Sequence, residues 1–453
     1  MSQINIKKLS FGFNKNHLIF NNLSLSIPTA SFSLLTGPNG TGKSTFLKLL
    51  ARLYPSDDNQ IFKGKIGSLS QKWGMIFQNP DTQFTMSTPR EEFIFTLENL
   101  HLNQNEAEKR FRTAVDQTHL QKLLDQKFTT LSGGEKQRVA FALMLAMHPP
   151  LLLLDEPFAN CDPTNREFLI HQLAHLKQNK TTIILSDHDL SHYKNLVDRI
   201  YYCNNKTITK VSSLNTLFSS PKEFHLKTQS SPAKPLLKLK NFSLANQSKS
   251  LIHSTNLNLY SGATLLTGVN GSGKTSFFNA LTKMTLYKGE ILFNDKNIIK
   301  IKNKSYFTQV GQIFQNPDDQ FLMVTVGEEI ECSLKHCHNP LLQHKTVNEL
   351  LTLINLSHRQ NQVVYSLSGG QKNKLQILLM LMANPTFLLL DEPLAGVDQA
   401  GQDQIIGLLK HFYLNQSSRK NGLILISHQL QNLDNFFDRH LIIQDQQLFY
   451  SKE

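Results

Sequence analysis

Cysteine is scarce in this sequence, with four residues in a chain of 453. So few cysteines in so long a chain exclude the disulfide framework of a small secreted protein. Two of them, Cys332 and Cys337, stand next to His336 and His338, a grouping that metal ligands also show. Nothing else in the sequence supports metal binding there, so we interpret this group as incidental composition.

Long apolar runs are also missing. No segment approaches the ~18 apolar residues that a membrane-spanning helix needs. The first ten residues, MSQINIKKLS, lack the apolar stretch of a signal peptide. A hydrophobic fraction of 40% is ordinary for a soluble protein that builds a core. We therefore expect the protein to stay in the cytoplasm.

Acidic residues are outnumbered by basic ones, and the formal net charge is +12. This balance fits a nucleic-acid binder, a protein on an anionic membrane surface, or a lysine-rich proteome. No dense basic block concentrates the charge in one place. Charge alone therefore does not identify a partner.

Repetition dominates the sequence. FQNPDTQF at residues 77–84 returns as FQNPDDQF at residues 314–321, which is 237 positions later. Four further motifs recur in the same order at nearly the same offset, between 231 and 240 positions. A chain of this length also exceeds one typical domain. We predict two tandem domains, residues 1–226 and 236–453, joined by a Ser-, Pro- and Lys-rich linker at residues 227–235.

Short apolar runs alternate with helical stretches within each half. Residues 151–154 and 387–390 are continuous apolar runs, which are typical of central strands in a parallel sheet. Residues 33–36 and 264–267 look like further buried strands, and each enters a glycine-rich turn. The pattern predicts an α/β fold with a mainly parallel sheet in each half.

Each half contains a Gly-x4-Gly-Lys-Ser/Thr loop between a predicted strand and a predicted helix. The backbone N–H groups of such a loop and the helix N-terminus favour phosphate. We expect Lys43 and Lys274 to reach the β- and γ-phosphates of a nucleotide, and the Ser44 and Thr275 hydroxyls to bind magnesium. The predicted phosphate-binding residues are Gly37, Pro38, Asn39, Gly40, Thr41, Gly42, Lys43, Ser44, Thr45, Gly268, Val269, Asn270, Gly271, Ser272, Gly273, Lys274, Thr275 and Ser276.

An acidic pair follows a buried apolar run in each half, at residues 155–156 and 391–392. We expect Asp155 and Asp391 to hold magnesium, and Glu156 and Glu392 to polarise an attacking water. The alternative is that these acidic residues cap helices. Their recurrence downstream of a phosphate loop favours the catalytic interpretation.

A second type of anion site is predicted where Leu-Ser-Gly-Gly opens a helix. Each half already has its own phosphate loop, so this second site makes sense if it serves the nucleotide of the other half. We therefore expect the halves to pair head to tail within the chain, with two ATP molecules between them. The residues are Ser132, Gly133, Gly134 and Glu135 in the first half, and Ser368, Gly369, Gly370 and Gln371 in the second.

A histidine follows an apolar run at the matching place in each half, as His188 and His428. A single histidine there is more often a packing or surface residue. Because it occurs in both halves, we predict that it contacts the γ-phosphate and senses its loss.

The order of these motifs resembles that of the ATP-binding cassette (ABC) ATPase domain, and the resemblance covers both halves. It implies two tandem P-loop NTPase domains, each with an added antiparallel β subdomain and a helical signature subdomain. It also implies that Gln78 and Gln315 contact magnesium and water, and that Asp162 and Asp398 lie in a loop crossing to the other domain. An aromatic residue stacks on adenine in this family, and Phe13 matches it, whereas Asn246 stands at that place in the second half.

The motif Phe-Gln-Asn-Pro-Asp-x-Gln-Phe is similar to that of the motor subunits of energy-coupling-factor (ECF) type importers, which take up vitamins and metal ions. The resemblance implies an Mg²⁺-dependent ATPase on the cytoplasmic face of the membrane. Its implied partners are a membrane scaffold protein and a substrate-binding membrane protein, with no nucleic acid. Duplicated ATPases of this kind are proposed for uptake of thiamine and its hydroxymethylpyrimidine precursor.

Short helices of the scaffold dock in grooves beside this motif in that family. The apolar residues that match such grooves, or that pack in the helical subdomain, are Phe84, Met86, Phe93, Phe95, Phe321, Met323, Val324 and Val326.

The competing hypothesis is a soluble tandem-cassette ATPase that acts on ribosomes or nucleic acid, for which the net charge of +12 is the best argument. In that class the segment between cassettes is usually long, helical and highly charged. The short Ser- and Pro-rich linker predicted here argues against it.

Overall fold

The computed structural model describes residues 3–14, 17–38, 40–57, 59–77, 82–158, 163–187, 190, 192–211, 226, 235–246, 249–415, 420–427, 433 and 435–451. The chain divides into two compact units, Met1–Ser220 and Pro221–Glu453. The predicted linker lies outside the described residues except for Pro235, so its bounds stay a prediction.

The first unit contains nine strands and five helices within its described residues. They are β1 (Gln3–Asn14), β2 (His17–Pro28), β3 (Phe32–Thr36), α1 (Lys43–Leu50), β4 (Ile61–Gly67), β5 (Gly74–Ile76), α2 (Pro89–Asn99), α3 (Gln104–Thr118), α4 (Gly133–Met147), β6 (Leu151–Asp155), α5 (Pro163–Gln178), β7 (Thr182–Ser186), β8 (Arg199–Asn204) and β9 (Thr207–Lys210).

The second unit repeats this order with small changes. Its elements are β10 (Pro235–Asn246), β11 (Lys249–Tyr260), β12 (Gly262–Thr267), α6 (Lys274–Leu281), β13 (Lys288–Phe293), β14 (Lys296–Asn297), α7 (Asn303–Phe307), β15 (Val310–Ile313), α8 (Val326–Leu334), α9 (Val347–Leu353), α10 (Gly369–Ala383), β16 (Phe387–Asp391), α11 (Gln399–Leu409), β17 (Gly422–Ile426), β18 (Arg439–Gln444) and β19 (Gln447–Tyr450).

Each unit has a six-stranded main sheet, in the order β5-β6-β7-β3-β8-β9 or β15-β16-β17-β12-β18-β19. Neighbouring strands are parallel except for the last pair, β8 with β9 or β18 with β19. A smaller antiparallel sheet accompanies it, with the order β2-β1-β4 or β11-β10-β13-β14. The predicted α/β class, with a mainly parallel sheet and an antiparallel β subdomain, is therefore confirmed.

The main sheet is buried on both faces, which explains the continuous apolar runs in its central strands. Along β6, Leu152 and Leu154 pack into a core with the helices α2 to α4, whereas Leu151 and Leu153 pack into a core with the antiparallel sheet and α1. Strand β16 divides its side chains between two cores in the same way. The carboxyl ends of β3, β6 and β7 thereby meet at one edge, where the polar motifs follow.

None of the helices within the described ranges combines the length and the apolar character needed to cross a membrane.

Candidate nucleotide-binding sites

The two glycine loops stand where the sequence predicts them, between β3 and α1 and between β12 and α6. Gly42 and Gly273, the residues before these helices, both have φ of 100°, a left-handed conformation that favours glycine. A Cβ atom on Gly42 would lie 2.5 Å from Ile19 Cγ2, so space as well as backbone conformation requires glycine there. Asn39 lies outside the described residues.

The two loop lysines are buried and are held by the loops themselves. Lys43 Nζ donates to Gly37 O at 2.9 Å and to Pro38 O at 3.0 Å. Lys274 Nζ donates to Gly268 O at 2.7 Å and to Val269 O at 3.2 Å. Both ammonium groups are therefore held at their loops, as a site for phosphate requires.

Asp155 ends β6, is only 4% exposed, and accepts a hydrogen bond from the Ser186 hydroxyl at 2.8 Å. Burial raises the pKa of Asp155, while hydrogen bonds from the Ser44 and Ser186 hydroxyls lower it in part. The predicted magnesium pair, Ser44 and Asp155, is thus brought together. Asp391 ends β16 in the same way and is 2% exposed.

The glutamate after each aspartate has left-handed backbone geometry, with φ of 46° at Glu156 and 49° at Glu392. Glu156 N donates to Ser186 O at 3.0 Å, and Glu392 N donates to Ile426 O at 3.2 Å. Such conformations are uncommon for residues other than glycine and are found often at functional sites. The neighbouring strand therefore fixes where each glutamate leaves the sheet.

The Leu-Ser-Gly-Gly motifs open α4 and α10 as predicted. Ser132 and Ser368 are the N-caps, and each forms a reciprocal capping box with the residue three positions on. Glu135 accepts from both Ser132 N and Ser132 Oγ at 2.8 Å, and Gln371 accepts from Ser368 N at 3.1 Å. These two side chains therefore cap their own helices, and their contact with nucleotide stays a prediction.

A backbone-to-side-chain hydrogen bond joins the two ends of the repeated motif FQNPDxQF in each unit. Its second glutamine bonds back to the first residue of the motif, because Phe77 N donates to Gln83 Oε1 at 3.1 Å and Phe314 N donates to Gln320 Oε1 at 3.3 Å. In the second unit the loop is also tied to α10 by the Asp318–Lys372 ion pair, at 2.7 Å. Gln315 is exposed, and Gln78 lies outside the described residues.

The sequence analysis did not predict a role for two buried glutamates, Glu92 and Glu329. Buried Glu92 accepts hydrogen bonds from Thr85 N and Met86 N, both at 2.8 Å. Buried Glu329 accepts from Leu322 N and Met323 N in the second unit. Each glutamate therefore holds the chain just after the FQNPDxQF motif. The signal was present, because these two residues are separated by the same 237 positions as the motif itself.

The groove residues divide between core and surface. Phe93, Phe321 and Val326 are buried in the cores, and Phe84 stacks on Phe128 with ring centroids 4.0 Å apart. Phe95 is exposed, and Val324 is 63% exposed. Phe93, Phe321 and Val326 therefore pack in the core, as the alternative interpretation predicts. Phe95 and Val324 leave apolar surface exposed.

Phe13 is 40% exposed and packs edge-on against Tyr54, with ring centroids 5.6 Å apart. An exposed ring with such support can stack on an adenine base. The Asn246 side chain, at the matching place, lies outside the described residues.

Three other predicted residues, His188, His428 and Asp162, also lie outside the described residues. Asp398 is described, and its Oδ1 accepts a hydrogen bond from Gly401 N at 2.9 Å, which caps α11. Its role in a loop that crosses to the other domain stays a prediction.

Two curated relatives match the chain almost end to end. YkoD of Bacillus subtilis (strain 168), named as an HMP/thiamine import ATP-binding protein, is 27% identical over 98% of this chain and 90% of its own length. A protein of Methanosarcina mazei, named as an ABC transporter ATP-binding protein, is 29% identical over 94% of this chain and 84% of its own.

Solved structures share the fold at lower identity. The ribosome-bound archaeal Pelota and ABCE1 model matches with a TM-score of 0.72 and 18% identity, over 98% of this chain and 78% of that one. The archaeal ribosome recycling factor aABCE1, in complex with the stalk protein aP1, has a TM-score of 0.67, also at 18% identity, over 96% of this chain and 87% of that one.

The ABC transporter family model matches the chain twice, at residues 20–159 and 252–395, which together make up well over half of its length. Each match begins in the second strand of its unit, spans the phosphate loop and ends just after the acidic pair. The chain therefore belongs to the ABC transporter family of ATP-binding proteins, with two ATPase cassettes in tandem.

Proposed function

We propose that this chain is the ATP-hydrolysing motor of an ECF-type importer that takes up a vitamin or a metal ion. The similarity to YkoD over 98% of the chain carries this proposal, because YkoD is named for import of HMP and thiamine. The doubled FQNPDxQF motif and the short predicted linker support it. The chain would act as a peripheral protein on the cytoplasmic face of the membrane, with a scaffold and a substrate-binding protein as membrane partners.

We infer that the two cassettes pair within the chain and share two composite sites. Each phosphate loop would face the Ser-Gly-Gly helix start of the other cassette. The first site would combine Lys43, Ser44, Gln78, Asp155, Glu156 and His188 with Ser368, Gly369, Gly370 and Gln371. The second would combine Lys274, Thr275, Gln315, Asp391, Glu392 and His428 with Ser132, Gly133, Gly134 and Glu135.

The side chains next to each phosphate loop suit a magnesium ion. In the first cassette a carboxylate and a hydroxyl, Asp155 and Ser44, lie in contact, and the carboxylate is buried where a cation would offset its charge. Asp391 and Thr275 would do the same in the second, with Gln78 and Gln315 as further ligands. When bound with ATP, magnesium neutralises charge that develops on the β- and γ-phosphates.

The remaining groups would perform the reaction cycle. Lys43 and Lys274 would release their loop carbonyls to bind phosphate oxygens. Glu156 and Glu392 would orient and polarise water for attack on the γ-phosphate, and His188 and His428 would contact that phosphate. ATP bound at both sites would close the cassettes, and phosphate loss would reopen them. The FQNPDxQF loops would pass this movement to the membrane partners.

A second candidate function is a ribosome or nucleic-acid factor, which the net charge of +12 favours. Two measurements on the same cells separate the candidates: uptake of labelled vitamins and metal ions after deletion of the gene, and fractionation of the tagged chain. An importer motor predicts lost uptake of one such solute and recovery with membranes. Unchanged uptake of every solute, with the chain recovered on ribosomes, would overturn the importer proposal.

A further inference from the structure

A buried ion pair joins two elements of the first unit. Arg166 on α5 donates from Nη2 to Asp187 Oδ2 at 3.0 Å, and both side chains are 8% exposed. The Tyr193 hydroxyl donates to the same carboxylate oxygen at 2.8 Å, and the Arg166 guanidinium lies 5.5 Å from the Tyr193 ring centroid. We call Arg166, Asp187 and Tyr193 the buried triad.

The triad joins two segments that the proposed mechanism uses. Asp187 follows the last residue of β7 and directly precedes His188 in the sequence. Arg166 stands four residues after Asp162, in the first turn of the helix that follows the predicted crossing loop. The ion pair therefore fixes the chain on the N-terminal side of the predicted phosphate sensor relative to the helix after the crossing loop.

The second unit has different chemistry at all three positions. The motif offsets place Gln402 at the position of Arg166, and Ser427 and Leu433 at those of Asp187 and Tyr193. Gln402 Nε2 donates to Val397 O at 2.9 Å, within the segment just before Asp398. Leu433 is a buried member of the apolar core. The second unit therefore carries neutral side chains at the positions where the first has a buried ion pair between two elements.

A buried ion pair is poor evidence of a contribution to stability. The cost of removing two charges from water can exceed their attraction, and replacement of both by neutral residues is often tolerated. The second unit builds the same fold without the charges, so the fold does not need them. Their presence in one unit alone points to a role in positioning.

We propose that the buried triad is a positioning device of the first cassette, which couples the segment before His188 to the first turn of α5 and makes the two ATP sites of this chain unequal. The inference rests on the proposed ATP hydrolysis at two sites. In the first cassette, loss of the γ-phosphate would move the sensor segment and α5 together. In the second cassette neutral residues stand at these positions, so no ion pair would link the two segments.

The second cassette supplies the residues for the test. The double variant Arg166→Gln/Asp187→Ser gives the first cassette the neutral pair of the second, while each single variant leaves one buried charge without its partner. We expect each single variant to lower the melting temperature by about 10 °C, and the double variant to recover most of this loss. Tyr193→Phe, which removes only the hydroxyl, is a milder probe for use if a single variant fails to fold.

Steady-state ATP hydrolysis then separates positioning from structure. We expect the double variant to keep its KM for ATP and to lose at least about half of kcat, because one of two sites loses its positioned sensor. A double variant that recovers both melting temperature and kcat would show that the triad is only structural. Because the parent protein is measured alongside, absence of hydrolysis in the parent would instead overturn the proposed function.

A label identifies the site that is affected. Vanadate traps 8-azido-ADP after hydrolysis, and photocrosslinking followed by peptide mass spectrometry assigns the trapped nucleotide to the first or the second cassette. We expect the double variant to lose label in the first cassette and to keep it in the second. An unchanged ratio of the two labelled peptides contradicts the proposal.

Discussion

The Ser186 hydroxyl donates a hydrogen bond to Asp155 Oδ1 at 2.8 Å, across the carboxyl ends of two adjacent strands. In the second unit, Ile426 stands opposite Asp391 in the same register and has no hydroxyl to donate. The carboxylate predicted to hold magnesium thus has a donor in the first cassette that the second cassette does not provide at that position. The two cassettes therefore differ at the residue opposite the predicted magnesium-binding aspartate, as well as at the buried triad.

Loss of this donor should weaken magnesium binding at the first site. We expect Ser186→Ala to raise the magnesium concentration needed for half-maximal ATP hydrolysis by about tenfold, because hydrogen bonds to charged groups contribute about 1.5–3 kcal/mol. Titration of activity with magnesium measures this. Ile426→Val, which donates nothing in either form, is the matched control and should leave the titration unchanged. Equal effects of both substitutions would show that strand packing, and not the hydroxyl, is responsible.

The glutamates at the strand ends should be needed for turnover and dispensable for binding. We expect Glu156→Gln with Glu392→Gln to keep ATP affinity, since the amide preserves size, and to lower the rate of phosphate release at least about 100-fold. Fluorescent nucleotide binding and a phosphate-release assay measure the two properties. Normal hydrolysis by the double variant contradicts the assignment of these residues as catalytic.

Glu92 should stabilise the chain that follows the FQNPDxQF motif. One carboxylate oxygen of Glu92 accepts from both backbone N–H groups, and Glu92→Gln replaces it with a neutral amide oxygen. Because hydrogen bonds to a carboxylate are roughly twice as strong as those to a neutral acceptor, we expect a loss of about 2 kcal/mol in the free energy of unfolding of the first unit. Urea unfolding measures this loss, and hydrogen exchange at the Thr85 and Met86 amides locates it. Glu108→Gln, which breaks only an exposed pair with Arg112, should cost less than about 0.5 kcal/mol. Equal stability of the Glu92 and Glu108 variants would contradict the prediction that Glu92 stabilises the segment after the FQNPDxQF motif.

Cys203 should be unreactive in the folded protein. Burial raises the pKa of its thiol to about 12. The thiol is therefore deprotonated in about one molecule in 10⁴ at pH 8, and the thiolate is the form that reacts. Iodoacetamide at that pH should alkylate the partly exposed Cys332 and leave Cys203 unmodified until urea unfolds the chain. Alkylation of both at equal rates in the folded protein contradicts the burial of Cys203.

Much of this architecture could be predicted from local sequence. Continuous apolar runs such as residues 151–154 mark strands that are covered on both faces, and the Gly-x4-Gly-Lys spacing marks the loop that follows β3. The capping box between Ser132 and Glu135 is also predictable from local sequence, because Ser-x-x-Glu at a helix start is the usual pattern of a capping box. These features depend on neighbours within a few positions.

Contacts between distant segments could not be predicted in the same way. Arg166 and Asp187 are 21 positions apart in the sequence and lie in different segments. The local sequence around either residue does not indicate that the two form an ion pair. The acceptor role of Glu92 depends on how α2 lies against the preceding loop, which no periodicity encodes. Comparison of the two halves at a fixed offset was the available signal, because it shows which polar positions recur and which differ.

The central claim is that each phosphate loop shares its ATP with the signature helix of the other cassette. Site-resolved nucleotide trapping in Ser368→Arg tests it most directly, with Ser132→Arg as the matched control. The account predicts that Ser368→Arg abolishes trapping in the first cassette and spares the second, and that Ser132→Arg does the reverse. Loss of trapping in the same cassette as the substituted serine would contradict it.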